Sequence, residues 1–455
     1  MKIHNTMTGH KEEFVTRGNT VSMYVCGVTP YDDCHIGHAM SYILFDVVRR
    51  YLEFKGYTVK YVQNFTDIDD KIINRASGTG KTTRELADYF IDRYFQDMDS
   101  LNIKRADVYP KATEEISMIL EVISRLIEKG HAYERDDGVY FRVKSFQDYG
   151  ALSRRLTTDS GTSQTGEQST KEQDLDFALW KKAKPGEPEW ESPWGPGRPG
   201  WHIECTAMSL KYLGETLDIH AGGQDLVFPH HENEIAQSEC FTGVKPFARY
   251  WLHNGMLQLG EQKMSKSLGN LVTIREVLEN FSADALRVLV LSSHYRSPLT
   301  YTTEALTAAQ KGTGRIVEAA TAKSLSKTAA NIDLETYKRK FSDACDDDFN
   351  FAQGLSLIFD LVREINKGLE SELNVEEAQI TLKELTGVFG LTLEKKTGKT
   401  AETEPFIELL IAIRQELRSQ KHWALADRIR TGLAENGVII EDAQNETRWK
   451  YENKP

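Results

Sequence analysis

The sequence predicts an α/β protein: a parallel-sheet domain interrupted by an inserted module, then an α-helical bundle and a small C-terminal domain. Three observations carry that expectation. Residues 22–28 form an apolar run of strand length. Residues 39–55 repeat apolar side chains at helical spacing (Ile43, Val47, Val48, Tyr51, Leu52) up to a Gly56 stop, and residues 58–62 read as another strand. Strand, short loop, helix and parallel strand make a βαβ unit of Rossmann type, whose ligands sit beyond the carboxyl ends of the strands. The second observation is an interruption. Residues 157–173 are rich in Ser, Thr, Gly and Gln without periodicity and read as a mobile loop, and residues 185–200 hold five of the 12 prolines and read as an irregular seam. The third is the change after Thr273 to long amphipathic helices, such as 351–369 with Leu355, Ile358, Phe359, Val362 and Ile365 on one face.

The remaining elements follow from start and stop signals. A helix is expected from Thr113 as N-cap through Ile116, Ile119, Ile123 and Leu126 to Gly130. A strand-like segment covers 255–259. Residues 395–403 read as a polar linker, followed by helices near 408–419 and 424–435.

Composition bounds the function. The 455 residues suffice for about three domains. No run approaches the 18 apolar residues that a membrane span needs. With 56 basic against 68 acidic residues the net charge is −12. That argues against indiscriminate binding of polyanions, which depends on Lys and Arg displacing counterions, and leaves recognition to placed contacts. The cysteines (Cys26, Cys34, Cys205, Cys240, Cys345) are odd in number and far apart, so no disulfide framework is expected and a special cysteine is a metal ligand or a nucleophile. The start of the chain lacks the apolar core of a secretory signal, and a cytoplasmic location is expected.

Candidate chemistry lies in three places. His35-Ile36-Gly37-His38 falls between the first strand and its helix, where two imidazoles can donate to phosphate oxygens, Gly37 lets a flat ring approach, and the helix N-terminus favours an anion. A pair of surface histidines is the bland alternative. Lys263-Met264-Ser265-Lys266-Ser267, between Gly260 and Gly269, sets two lysines three apart on a loop that can close over a triphosphate; the alternative is a solvated charged face. Residues 201–253 hold five of the 12 histidines, and four of the seven tryptophans (Trp180, Trp190, Trp194, Trp201) lie just before or at their start. Within that stretch Pro229 can open a helix on which His230 and Glu234, at i and i+4, point the same way, a common spacing for two metal ligands. Spacing alone does not select their partners.

The two signatures together resemble the HIGH and KMSKS motifs of class I aminoacyl-tRNA synthetases. Four further blocks narrow the resemblance to the cysteinyl-tRNA synthetases: Met-Tyr-Val-Cys-Gly-Val-Thr at 23–29, Asn-Phe-Thr-Asp-Ile-Asp-Asp-Lys at 64–71, Gly-Arg-Pro-Gly-Trp-His-Ile-Glu-Cys at 197–205, and Phe-Pro-His-His-Glu-Asn-Glu at 228–234. It covers nearly the whole chain. The resemblance implies a cysteine–tRNA ligase that activates L-cysteine with ATP to cysteinyl adenylate and transfers it to the 3′ end of tRNA(Cys). It implies one Zn2+ on Cys26, Cys205, His230 and Glu234, and Mg2+ accompanying ATP. His35, Gly37, His38, Lys263, Ser265, Lys266 and Ser267 would hold the nucleotide, with His35, His38, Lys263 and Lys266 carrying catalysis by positioning and electrostatics. Gly27, Thr29, Thr66 and Trp201 would line the thiol pocket. Zinc suits such a substrate, because coordination deprotonates a thiol outright and prefers sulfur to serine's harder oxygen. Shape alone would discriminate by only ~1–3 kcal/mol.

The same resemblance divides the chain. Residues 1–110 and 201–275 would be the two halves of the catalytic domain, 111–200 the inserted acceptor-end module, and 276–395 a bundle of DALR type (Ala283-Asp284-Ala285-Leu286-Arg287) touching the tRNA stem. Residues 396–455 would read the anticodon, with Trp449 available to stack on a base. A monomer without membrane partners is expected. Met40 stands where the family pattern calls for a basic residue. Two other readings remain: a cysteine-to-aminosugar ligase sharing the adenylation half, and a zinc hydrolase on His230, His231 and Glu234, against which the lysine loop counts.

Overall fold

The computed structural model describes residues 1–155, 170–260, 262–263, 271–324, 326–394, 399–442 and 447–451. They form two compact units, Met1–Leu393 and Glu394–Pro455.

At the centre of the first unit four parallel strands lie in the order Ala248–Asn254, Leu217–Gly223, Thr20–Val28, Thr58–Phe65. All four carboxyl ends therefore face the same way. The strand Thr20–Val28 alternates its side chains: Met23 and Val25 enter the core shared with the helix Ile36–Phe54, whereas Tyr24 and Cys26 enter the core shared with the helices Ile116–Glu128, Trp201–Leu213 and Glu232–Thr242. This period of two decides which face Cys26 serves. The expected strand 58–62 runs on to Phe65 because its polar residues find buried partners: Gln63 Nε2 donates to the Tyr94 hydroxyl (2.7 Å) and Asn64 Oδ1 accepts from Gly27 N (2.9 Å). The first helix starts three residues before the expected 39, since His35 acts as its N-cap.

Between Phe65 and Leu217 the inserted residues build helices and a four-stranded antiparallel sheet of Ala132–Arg135, Gly138–Phe141, Phe177–Lys182 and Gly197–Pro199. Two expectations are corrected here. The proline-rich seam is not wholly irregular: Gly197–Pro199 pairs with residues 180–182 as an edge strand, where a proline costs no ladder bond on its outer side. Thr113 does not cap the helix, which runs Ile116–Glu128 behind a 3₁₀ turn; its hydroxyl donates to Asp67 Oδ2 (2.6 Å) instead. Of the polar loop expected at 157–173, residues 157–169 lie outside the described residues, and Glu172 accepts from Arg135 and Arg142 at 2.8 and 3.1 Å.

The strand Leu257–Leu259 joins not the central sheet but a small one with Gln262–Lys263 and Leu299–Tyr301. Helices Ala283–Leu291, Thr303–Thr321, Leu334–Asp346, Phe351–Glu370 and Glu376–Val388 share one apolar core with the sheet. Arg287, fully buried, fastens this core: its guanidinium pairs with Asp46 in the middle of the first helix and donates to the carbonyls of Phe389 and Leu101, both at 2.8 Å.

The second unit contains helices Lys399–Ser419 and Trp423–Glu435 and the hairpin Val438–Asp442/Thr447–Tyr451. Its first helix begins inside the segment read as a linker, and the hairpin is not legible in the sequence reading. Trp449 packs against Ile407, Ile411, Leu433, Val438 and Ile440, so its ring serves the unit's own core.

Arg287→Ala is expected to destabilise the first unit by about 3–5 kcal/mol, because a buried carboxylate loses its guanidinium and two carbonyls lose donors. Urea unfolding measures this. A loss below ~1 kcal/mol would show that Arg50, which also bonds Asp46 (2.8 Å), suffices alone.

Candidate active site and metal centre

Four segments converge beside the sheet. Cys26 comes from the first core strand and Cys205 from the helix Trp201–Leu213 that returns from the insertion. His230 and His231 come from the kinked turn Val227–His231, and Glu234 from the helix after it. The Sγ atoms of Cys26 and Cys205 are 4.0 Å apart and unlinked. Cys26 Sγ lies 3.7 Å from Glu234 Oε1 and 3.2 Å from His231 Nε2. Glu234 Oε1 lies 3.0 Å from His230 Nε2 and 3.9 Å from His231 Nε2. All five side chains are buried, and the donor atoms of Cys26, His230, His231 and Glu234 fall within 4.8 Å of one another.

The charges of this cluster are set by its members. Burial works to raise the pKa of Glu234, but His220 and His230 outweigh it and hold the carboxyl at about 2. Burial likewise opposes a charge on His230, yet Glu234 and Cys205 raise it to about 10. Burial first, then Cys205 and Glu234, pushes the Cys26 thiol well up. Its hydrogen bond to Cys205 instead brings the latter down to about 6, against burial and with help from His230. An outer layer of imidazoles orients the cluster: His220 Nε2 lies 2.8 Å from Glu234 Oε2, His202 Nδ1 2.9 Å from His230 Nδ1, and His231 Nδ1 2.7 Å from His253 Nε2. Burial keeps His202, His231 and His253 neutral, the last at about 3.

The histidine signature caps its own helix. His35 Nδ1 accepts from the backbone N–H of Gly37 (3.1 Å) and His38 (3.4 Å), while His38 Nδ1 accepts from His35 N–H (3.3 Å). The rings stack with centroids 3.7 Å apart. A ring whose Nδ1 accepts and which stays neutral carries its proton on Nε2, so this geometry turns both rings into Nε2–H donors. Burial, reinforced by His35 and Lys71, holds His38 well below the usual imidazole pKa. Lys263 ends the short strand Gln262–Lys263, and Ser265, Lys266 and Ser267 lie outside the described residues. The chain beyond them returns to the histidine turn, where Ile36 N donates to Val272 O and Ile274 N to Cys34 O, both at 3.0 Å. The root of the lysine loop is thus fastened to the histidine signature.

Residues 13–311 match the family model "tRNA synthetases class I (C) catalytic domain", and residues 340–394 match "DALR domain". A protein of Dehalococcoides mccartyi named "Cysteine--tRNA ligase" is 55% identical over 100% of both chains. This chain belongs to the cysteinyl-tRNA synthetase family. A Carboxydothermus hydrogenoformans protein of the same name is 51% identical over 99% of this chain and 100% of its own. Among solved structures, Mycobacterium tuberculosis methionyl-tRNA synthetase in complex with methionyl-adenylate superposes with a TM-score of 0.61 at 17% identity, covering 81% of this chain and 89% of that one. It shares the class I synthetase fold. The chain is accordingly an aminoacyl-tRNA ligase.

Within this synthetase the expected pocket residues take distinct places. Trp201, 42% exposed, stacks on His230 with centroids 4.4 Å apart and roofs the cluster. A Cβ at Gly27 would stand 1.6 Å from the Asn64 carbonyl oxygen, so only glycine lets the two strands close there. Thr66 is buried and accepts from Asn64 Nδ2 (3.3 Å), and Thr29 is half-buried just past the strand's end. Met40 is buried in the apolar core. The sequence reading takes the five histidines of 201–253 as a site signal but gives no individual role to His202, His220 or His253, and gives one to His231 only in the hydrolase alternative.

At pH 6.5 the His38 ring should be neutral with its proton on Nε2, as read by 15N chemical shifts. Because its folded pKa is depressed, the unfolded chain takes up the proton first. This residue's contribution to stability is full above about pH 6.5 and is lost as pH falls. A charged or Nδ1-protonated ring would contradict the capping geometry.

Proposed function

We propose that this synthetase activates cysteine on ATP and charges tRNA(Cys), with a zinc ion on Cys26, Cys205, His230 and Glu234 selecting the substrate's sulfur. The carrying observation is the spacing of these donors. On one tetrahedral zinc with bonds of ~2.0–2.3 Å, two sulfurs stand about 3.8 Å apart, sulfur and oxygen about 3.6 Å, and nitrogen and oxygen about 3.3 Å. The matching pairs Cys26–Cys205, Cys26–Glu234 and His230–Glu234 stand 4.0, 3.7 and 3.0 Å apart. His231 Nε2 belongs to the same donor group, 3.2 Å from Cys26 but 3.9 Å from Glu234; its greater distance from Glu234 than His230's is why we assign it as an outer partner to Cys26.

When bound, the ion supplies an acceptor for the substrate side chain as thiolate, which serine's far less acidic hydroxyl does not satisfy. The protein does the rest. Trp201 shields the thiol from water while Gly27, Thr29 and Thr66 shape the space beside it. His35 and His38 donate through Nε2 to the phosphates, with Gly37 admitting the nucleotide. Lys263 and Lys266, flanked by Ser265 and Ser267, neutralise charge on the leaving pyrophosphate, which Mg2+ accompanies. We place residues 111–200 at the acceptor end, 276–395 on the tRNA stem and 396–455 at the anticodon. The chain acts as a cytoplasmic monomer, and no described helix is long and apolar enough to cross a membrane.

Cysteine-dependent exchange of pyrophosphate into ATP, followed by charging of tRNA(Cys), tests this reading. Exchange without charging would favour the aminosugar ligase, and no exchange would defeat both. Cys205→Ser should lose zinc, by elemental analysis, together with cysteine activation; full zinc and normal cysteine affinity would remove Cys205 from the ligand set.

Zinc added to demetallated protein at pH 7 should release about two protons per ion, from Cys26 and His230, so that apparent affinity rises about a hundredfold per pH unit. Both groups lose their protons only above that pH, which fixes the sign. Calorimetry in buffers of differing ionisation enthalpy counts the protons, and a count of zero would exclude these donors.

A further inference from the structure

Both nucleotide signatures lean on a helix to which neither belongs. The helix Thr83–Ser100 buries Ile91, Tyr94 and Met98 in the first core, and Gln63 of the strand Thr58–Phe65 donates to Tyr94 (2.7 Å). Its residues Arg93, Gln96 and Asp97 turn instead to the two chain segments that bracket the histidine turn. Arg93 grips Asp33, two residues before His35, through both Nε and Nη2, the latter 2.7 Å from Oδ2. Arg275 lies two residues beyond Thr273, which bridges to His35. It donates through Nη2 to Gln96 Oε1 (2.9 Å), and its Nε stands 2.9 Å from Asp97 Oδ1. One turn of helix thus receives both the entry to the histidine signature and the chain that follows the lysine signature.

The two ties are unequal. Arg93 and Asp33 form a two-bond fork, the strong geometry for such a pair. Asp97 and Arg275 form half of one. Asp97 is buried, its Oδ2 has no hydrogen-bond partner among the described residues, and Arg275 Nε, although close, makes no aligned hydrogen bond. Burial raises the Asp97 carboxyl to about 6 against the pull of Arg275, with Asp33 adding to the rise and Arg93 opposing it; a fully paired carboxylate would be depressed. Buried polar atoms without partners carry their whole desolvation cost. Here the two orphans sit on facing partners, so turning the Arg275 fork onto the carboxylate, as Arg93 sits on Asp33, satisfies both at once. That turn draws the start of the helix Ile274–Asn280 toward the helix Thr83–Ser100. Val272 and Ile274 go with it, and their backbone holds Ile36 and Cys34 at 3.0 Å.

We propose that Asp97 and Arg275 are positioning residues for adenylation: their pair completes to a two-bond fork when ATP is seated, and so fixes the separation between the histidine turn and the chain that follows the lysine signature. The inference deepens the ligase reading above and rests on it. Displacement at the α-phosphorus shifts charge between the attacked phosphate and the leaving pyrophosphate. An error in the spacing of the segments that hold them therefore costs the transition state more than the bound substrates.

The test compares Asp97→Asn, Arg275→Lys and the double variant, each as the full-length zinc-loaded protein, by cysteine-dependent pyrophosphate exchange. Each single variant should lower kcat about thirtyfold while KM for ATP and for cysteine stays within about threefold and zinc content is unchanged. The double variant should lose no more than the worse single one, because the two residues act as a unit. Arg275 is 36% exposed, so Arg275→Lys keeps the charge, removes the fork and decides the matter alone should Asp97→Asn fail to fold. Unchanged kcat in Arg275→Lys would overturn the proposal. So would losses that multiply in the double variant, which makes the residues independent, or a KM for cysteine that rises as far as kcat falls, which assigns them a general structural role. No exchange by the unaltered protein would defeat the ligase reading itself, a result distinct from all of these.

Discussion

A carboxylate without solvent exposure holds this site together. Glu234 is fully buried, and such a charge survives in a protein interior only where partners replace its hydration. His220 and His230 do so directly, one on each oxygen. Because those imidazoles come from a core strand and from the turn before Glu234, satisfying one carboxylate fixes the strand Leu217–Gly223 against the helix Glu232–Thr242. The alternation of one strand then holds Cys26 3.7 Å from one of those oxygens, and the return of the inserted module brings Cys205 to 4.0 Å from Cys26.

The same economy explains the histidine signature. Two adjacent imidazoles at a helix start would repel each other as cations, and the helix N-terminus disfavours positive charge. The structure avoids both penalties by using each ring's Nδ1 as a cap acceptor. Capping and tautomer are therefore one arrangement: the hydrogen bonds that start the helix Ile36–Phe54 also fix which nitrogen carries the proton. Arg287 holds the far side of that helix through Asp46, so the bundle bears on the signature by packing.

The legible parts of the fold were those written in local periodicity. The βαβ unit announced itself through an apolar run, a helical repeat and a glycine stop, and the helix Phe351–Glu370 through its one-sided apolar face. Elements set by distant partners were not legible. Thr113 has the chemistry of a cap, but Asp67, 46 residues earlier, takes its hydroxyl. Gly197–Pro199 looks irregular until residues 180–182 offer it an edge. Resemblance supplied the four proposed ligands. The structure contributed what no spacing encodes, namely the outer layer of histidines and the place of His231 within the donor group.

The charges of the cluster also bear on the metal proposed for it. With protons as counter-ions, Glu234 and Cys205 are anionic, His230 is cationic and the Cys26 thiol is neutral, for a net charge of minus one. Replacing the protons of His230 and Cys26 by one divalent ion leaves that total unchanged, because two positive charges leave and two enter. In a pocket whose neighbours His202, His231 and His253 are all kept neutral by burial, an exchange that conserves charge avoids the large desolvation cost that any net change would incur.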